Sequence, residues 1–169
     1  MSNCNISEKG MFILAGKLYG IEISVKFLMS DYREKISLTR LNLAGNKLDP
    51  NSTKAFSLLF NSIFSLNLSH TNPEFSFLGK CENLIELDIS HCNKTLKDLV
   101  FLSSCFKLKK LNLSNCNVNS EMLKPLFLNE NLKIEELDLS DNAASFGDQV
   151  KVGVHEKLRE RGLLNWWIF

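Results

Sequence analysis

Proline is scarce in this chain, with three in 169 residues, and glycine stands at eight. Those shortages exclude a proline-rich linker, a collagen-like repeat and a low-complexity tract. Neither sign of charge dominates: 20 Lys and Arg stand against 19 Asp and Glu, for a net charge of +1. Nucleic-acid proteins carry a strongly basic face, so the balance argues against that partner. It also leaves no polybasic stretch to hold an anionic membrane. No apolar run approaches the ~20 residues of a membrane span. Met11 to Ala15 is too short for the apolar centre of a secretory leader, and Glu8 and Lys9 flank it badly. The sequence therefore predicts a cytoplasmic protein without a membrane role, unless an unconventional secretion route delivers it elsewhere, for instance into a host cell.

Recognisable chemistry is also missing. There is no G-x-x-x-x-G-K, no H-E-x-x-H, no G-x-S-x-G and no evident pair of cleft carboxylates. The five cysteines, Cys4, Cys81, Cys92, Cys105 and Cys116, are odd in number and include no C-x-x-C. A disulfide-rich secreted framework is not indicated. The expectation is no catalytic residue, no metal and no cofactor.

What is present is a repeat. Leu38-Thr-Arg-Leu41-Asn-Leu43-Ala-Gly-Asn46 is followed by Ile63-Phe-Ser-Leu66-Asn-Leu68-Ser-His-Thr71. Then come Leu84-Ile-Glu-Leu87-Asp-Ile89-Ser-His-Cys92, Leu108-Lys-Lys-Leu111-Asn-Leu113-Ser-Asn-Cys116 and Ile134-Glu-Glu-Leu137-Asp-Leu139-Ser-Asp-Asn142. All follow L-x-x-L-x-L-x-x-N/C, with Thr71 as the departure at position nine. The second Leu recurs at 41, 66, 87, 111 and 137, in steps of 25, 21, 24 and 26 residues. Leu18-Tyr-Gly-Ile21-Glu-Ile23 is a candidate degenerate sixth copy. Such internal periods mark stacked architectures, in which no single unit can bury its apolar side.

These five copies resemble the leucine-rich-repeat family over residues 36 to 146. The mixed step lengths resemble ribonuclease-inhibitor-like repeats alternating with a shorter type. The resemblance implies an α/β fold: a right-handed solenoid arc, a parallel β-sheet on its concave face, short helices on its convex face, and a cap at each end. It also implies that an Asn at position nine, such as Asn46 or Asn142, bonds backbone groups inside the loops. Richness in Asn, Lys, Ile and Phe gives a further similarity, to compact repeat proteins that intracellular bacterial pathogens deliver into host cells.

The chain is read as one domain, 1–169. Residues 1–35 form an N-terminal cap with the degenerate repeat, 36–146 the five repeats and 147–169 the C-terminal cap. Helix-spaced apolar residues predict α- or 3₁₀-helices in the return segments 52–60, 96–104 and 120–128, with Asn119 or Ser120 as an N-cap. A charged helix over Val154 to Arg161 should end at Gly162. The apolar tail Leu163 to Phe169 should fold back over the last repeat, because left bare it would be an aggregation patch. Cys81, Cys92, Cys105 and Cys116 stand at repeat-equivalent, buried positions, where Cys acts as a small hydrophobe.

In an L-x-L strand the alternating residues face away from the core. They form columns: Arg40, Ser65, Glu86, Lys110, Glu136; then Asn42, Asn67, Asp88, Asn112, Asp138; then Ala44, Ser69, Ser90, Ser114, Ser140; then Gly45, His70, His91, Asn115, Asp141. Candidate partner-binding residues are Arg40, Asn67, His70, Glu86, Asp88, His91, Lys110, Asn112, Glu136 and Asp138. His70 and His91 should lie about 5 Å apart on adjacent strands. Large aromatic anchors are missing from the strands, so Phe75, Phe77 and Tyr32 are candidates for supplying them from loops. The function expected is that of a non-catalytic interaction module, monomeric when free. It binds another protein on the concave face and covers its surface, an enzyme active site being one target. A structural or adaptor subunit is the alternative, and an enzyme the least supported.

Overall fold

The computed structural model describes residues 39–46, 48, 62–93, 96–142, 159–160, 162 and 165–167. Six short strands form one parallel sheet in chain order: β1 (Arg40–Asn42), β2 (Ser65–Asn67), β3 (Glu86–Asp88), β4 (Lys110–Asn112), β5 (Glu136–Asp138) and β6 (Asn165–Trp167). Leu41, Leu66, Leu87 and Leu111 each pair with the equivalent Leu of the next repeat, ending at Leu137. The unequal repeat lengths are therefore absorbed between strands and not within the sheet.

The alternation sets this register. Leu or Ile at positions four and six is buried in every repeat, while positions three and five are half-buried or exposed. A slip of one residue would turn each Leu to solvent. Backbone ladders continue beyond the three-residue strands. The position-six N–H of each repeat donates to the position-five carbonyl of the next, as Leu43 to Asn67 (2.8 Å) and Leu113 to Asp138 (2.8 Å). Position eight donates to position seven of the next repeat, as Gly45 to Ser69 (2.8 Å) and His91 to Ser114 (2.9 Å).

The described return segments are mainly 3₁₀: η1 (Phe75–Lys80) and η2 (Val100–Ser104), followed by a short α-helix, α1 (Lys124–Leu128). Helix α1 starts later than the apolar spacing predicts, with Pro125 in its first turn. Neither Asn119 nor Ser120 caps it: the N-cap position is Leu123, without a side-chain cap hydrogen bond, and Asn119 Oδ1 instead accepts the Met122 N–H (3.0 Å) in the turn that precedes α1. Leu78, Leu99, Leu102 and Leu123 seat these segments on the strand leucines in one continuous core. Phe75 and Phe77 belong to that core and are not loop anchors for a partner. Six residues in a tight 3₁₀ turn point them inward, which the expectation of loop aromatics did not foresee.

At the C-terminal end, Arg159 and Glu160 are helical and Gly162 has φ +73°, the left-handed conformation in which Gly ends helices. The Gly162 N–H reaches the Arg159 carbonyl (2.9 Å). The tail then extends the sheet, since Leu137 of β5 pairs with Trp166 of β6. The expected N-terminal helix, degenerate repeat, return segment 52–60 and residues Cys4 and Tyr32 lie outside the described residues.

Candidate functional site

Two polar columns shape the solvent side of the strands. In position five, Asn42, Asn67, Asp88, Asn112 and Asp138 each turn Oδ1 back to accept the position-seven N–H, at 2.9 to 3.0 Å. This is the two-residue Asx turn that short amide and carboxylate side chains form with their own backbone. It ends each strand after three residues. Asp88 also accepts from Asn67 Nδ2 (3.2 Å), and Asp138 from Ser140 Oγ (2.6 Å). The Asn/Asp column is therefore structural as well as exposed. Reversing Asp138 to Lys would therefore disturb the turn.

Position three carries the other column. Lys110 lies between Glu86 on β3 and Glu136 on β5, and its Nζ is 2.8 Å from Glu136. The hydrogen bond to Glu136 pushes the Lys110 ammonium above its ordinary value, with smaller help from the charges of Glu86 and Glu135. Beside it, Lys109 meets Glu135 at 2.6 Å. These pairs are about half exposed, so each contributes little to stability.

Position eight turns the chain out of the strand in the left-handed region: Gly45 (φ 71°), His70 (60°), His91 (57°), Asn115 (51°) and Asp141 (57°). That requirement explains the column's composition, because Gly, Asn, Asp and His tolerate positive φ best. It also stacks His70 on His91, with ring centroids 4.1 Å apart and planes 11° apart. The parallel rings do not converge on a common point. Among the described residues no group of three or more His, Cys, Asp or Glu side chains is placed to hold a metal ion.

Position nine is buried throughout. Asn46 Nδ2 donates to the Leu43 carbonyl (2.9 Å), and Thr71 Oγ1 bonds the Leu68 carbonyl. Cys92 Sγ donates to Leu68 O (3.3 Å) and Cys116 Sγ to Ile89 O (3.0 Å), each reaching back one repeat. Thr71 thus fills the role without distorting the second repeat, whose strand keeps its register on both sides. Cys81, Cys92, Cys105 and Cys116 are free and buried. Burial pushes the thiols of Cys81, Cys105 and Cys116 up to about 12 and raises that of Cys92.

The strands enclose a shallow hollow of about 370 Å³, running from Ser65 on β2 to Asp138 on β5. Asn67, Glu86, Asp88, Lys110, Asn112, Glu136 and Asp138 all line it. Arg40, His70 and His91 do not: Arg40 sits on β1, the first of the described strands, and the histidines lie in the turns. A larger groove, about 910 Å³, lies along η1 and η2. Phe75 and Phe101, with ring centroids 6.4 Å apart, line it beside exposed Val100. Sequence reasoning missed this groove because it anticipated a helical return segment over 96–104 but placed Phe75 and Phe77 in loops.

No helix among the described residues is long and apolar enough to cross a membrane. No curated protein matches the chain. A family model described as a leucine-rich repeat matches residues 34–57 and 104–126, which include β1 and β4. The matched segments and the in-register ladder of L-x-x-L-x-L strands make the same identification: the chain carries leucine-rich repeats.

Proposed function

We propose that this protein is a non-catalytic interaction module that binds a partner protein across the exposed side of its strands, taken as the concave face of a right-handed arc. Leucine-rich-repeat domains generally mediate protein–protein interaction. The single observation that carries the reading is the hollow on β2 to β5. It gathers charged and amide side chains on strands whose backbones are fixed by a continuous ladder. Groups held this way lose little freedom on binding, which lowers the cost of association.

The reading takes the chain as one domain, with residues 1–35 and 147–169 as caps. The pairing of β6 with β5 supports the second cap. Regulation is steric: a rigid scaffold covers a surface of its partner, an enzyme active site being the clearest target. A free monomer in the cytoplasm suits this role.

The test is photo-crosslinking. A crosslinking side chain at Ser65, half-exposed in the hollow, should capture one discrete protein from the native cell extract, while the same group at Val100 on η2 should not. The double change Glu86→Lys with Glu136→Lys should then weaken binding of the captured protein by about 2 kcal/mol or more if the charges are desolvated in the complex. Capture only from Val100, or affinity unchanged by the double reversal, would place the binding surface elsewhere.

A further inference from the structure

We propose that the hollow on β3 to β5 recognises a flexible basic segment of the partner, in polyproline-II conformation, with Arg or Lys at every third residue. This rests on the reading that the strand face binds protein, and adds the chemistry and spacing of what it takes.

The register carries the argument. Strands β3 and β5 have the same sequence, Glu-Leu-Asp, and β4 between them reads Lys-Leu-Asn. Direct pairing places Glu86, Lys110 and Glu136 in one row and Asp88, Asn112 and Asp138 in the next. Across the strands the face is therefore acidic, then cationic or neutral, then acidic again. The acidic rows are two strand spacings apart, roughly 9.5 Å. Along β3 or β5 the two acids lie on one face, about 7 Å apart.

A partner segment crossing the strands must repeat the complement of that pattern. A polyproline-II helix has three residues per turn and rises about 3.1 Å per residue, so side chains i and i+3 share a face roughly 9.3 Å apart. Two basic residues so spaced reach the acidic rows of β3 and β5 together. The intervening residues pass over Lys110 and Asn112, where a third cation would meet Lys110. An extended β-strand places i and i+2 only about 7 Å apart and turns i+3 to the opposite face. The hollow is shallow and without aromatics, and charged, amide and hydroxyl side chains stand around its leucines, which suits a solvated basic segment better than an apolar helix face.

Three of the four acids are positioned before binding. Asp88 and Asp138 have Oδ1 fixed on the backbone of their own turns, and Glu136 is held beside Lys110. The intact chain distinguishes spacing from bulk charge when titrated with two fluorescent peptides of equal composition, one containing Arg-Pro-Pro-Arg and the other Pro-Arg-Arg-Pro. Anisotropy at low salt should show the spaced peptide binding at least threefold more tightly, and Glu86→Gln with Glu136→Gln should abolish the preference. Lys110→Gln should narrow it by improving the adjacent-arginine peptide. These glutamates are exposed enough that a thermal melt will confirm the variant's fold.

Equal affinity for the two peptides, or a preference that survives the double Gln variant, overturns the proposal. Absence of peptide binding overturns it too. If Ser65 still crosslinks a partner in that case, only the basic-segment inference fails. If crosslinking is also lost, the strand-face reading fails with it.

Discussion

Asn142 holds the last repeat to its neighbour, and removing its amide should be among the most damaging small changes available. The side chain is 2% exposed. Its Oδ1 accepts two backbone N–H groups of the preceding repeat, from Cys116 (3.1 Å) and Val118 (2.9 Å). Its Nδ2 donates to the carbonyls of Leu113 (2.9 Å), Leu139 (2.9 Å) and Ser140 (3.1 Å). Asn142→Ala leaves two buried donors without their acceptor. Each such orphan costs about 1–3 kcal/mol, and the three carbonyls lose a shared donor as well. The expected loss is about 4 kcal/mol, a large part of the roughly 5–15 kcal/mol that holds a domain together. Urea unfolding followed by circular dichroism should show the midpoint falling in proportion. Asn131→Ala is the control, since that side chain is exposed and substitution there should stay within about 0.5 kcal/mol. A loss below about 1 kcal/mol for Asn142→Ala would refute the idea that this amide ties the repeats together.

The four buried thiols should resist a maleimide in the native chain and react at once in denaturant; rapid native labelling would contradict their burial. Because burial pushes Cys81, Cys105 and Cys116 up to about 12 from an ordinary 9.0, the folded chain keeps protons that the unfolded chain loses in that window. Stability from these groups is therefore intact below about pH 9 and should fall from there toward pH 12, by on the order of 1 kcal/mol per thiol per pH unit; a flat melt profile over that range would count against it. At position eight, His91→Val should be about 1–2 kcal/mol less stable than His91→Asn, because a β-branched side chain is penalised at φ 57°; equal thermal midpoints would contradict the backbone argument. Deleting residues 163–169 removes β6 from the edge of β5 and should lower the cooperativity of melting or drive aggregation, as scattering during a thermal ramp would report. An unchanged monomeric melt would assign the Trp-rich tail another role.

The sequence by itself determined the repeat, the parallel register and the identity of the outward columns. Those follow from an alternation with period two, which admits only one burial solution once Leu41, Leu66, Leu87, Leu111 and Leu137 must all be covered. It also determined that Cys81, Cys92, Cys105 and Cys116 are buried, since each stands at an equivalent place in the repeat. Tertiary structure decided what the columns do. Asn67, Asp88, Asn112 and Asp138 looked like ligand contacts, and the turn geometry shows their Oδ1 atoms already engaged with backbone. The inward placement of Phe75 and Phe77 was not legible, because a six-residue 3₁₀ segment is too short to show a helical period. The sequence set His70 beside His91 and Lys110 between two glutamates, but only the tertiary structure showed the rings stacked in parallel and the Lys110 ammonium bonded to Glu136. Residues 21 and 26 positions apart become neighbours only when the solenoid brings successive strands to about 4.8 Å, a distance set by backbone hydrogen bonds and not by the side chains themselves.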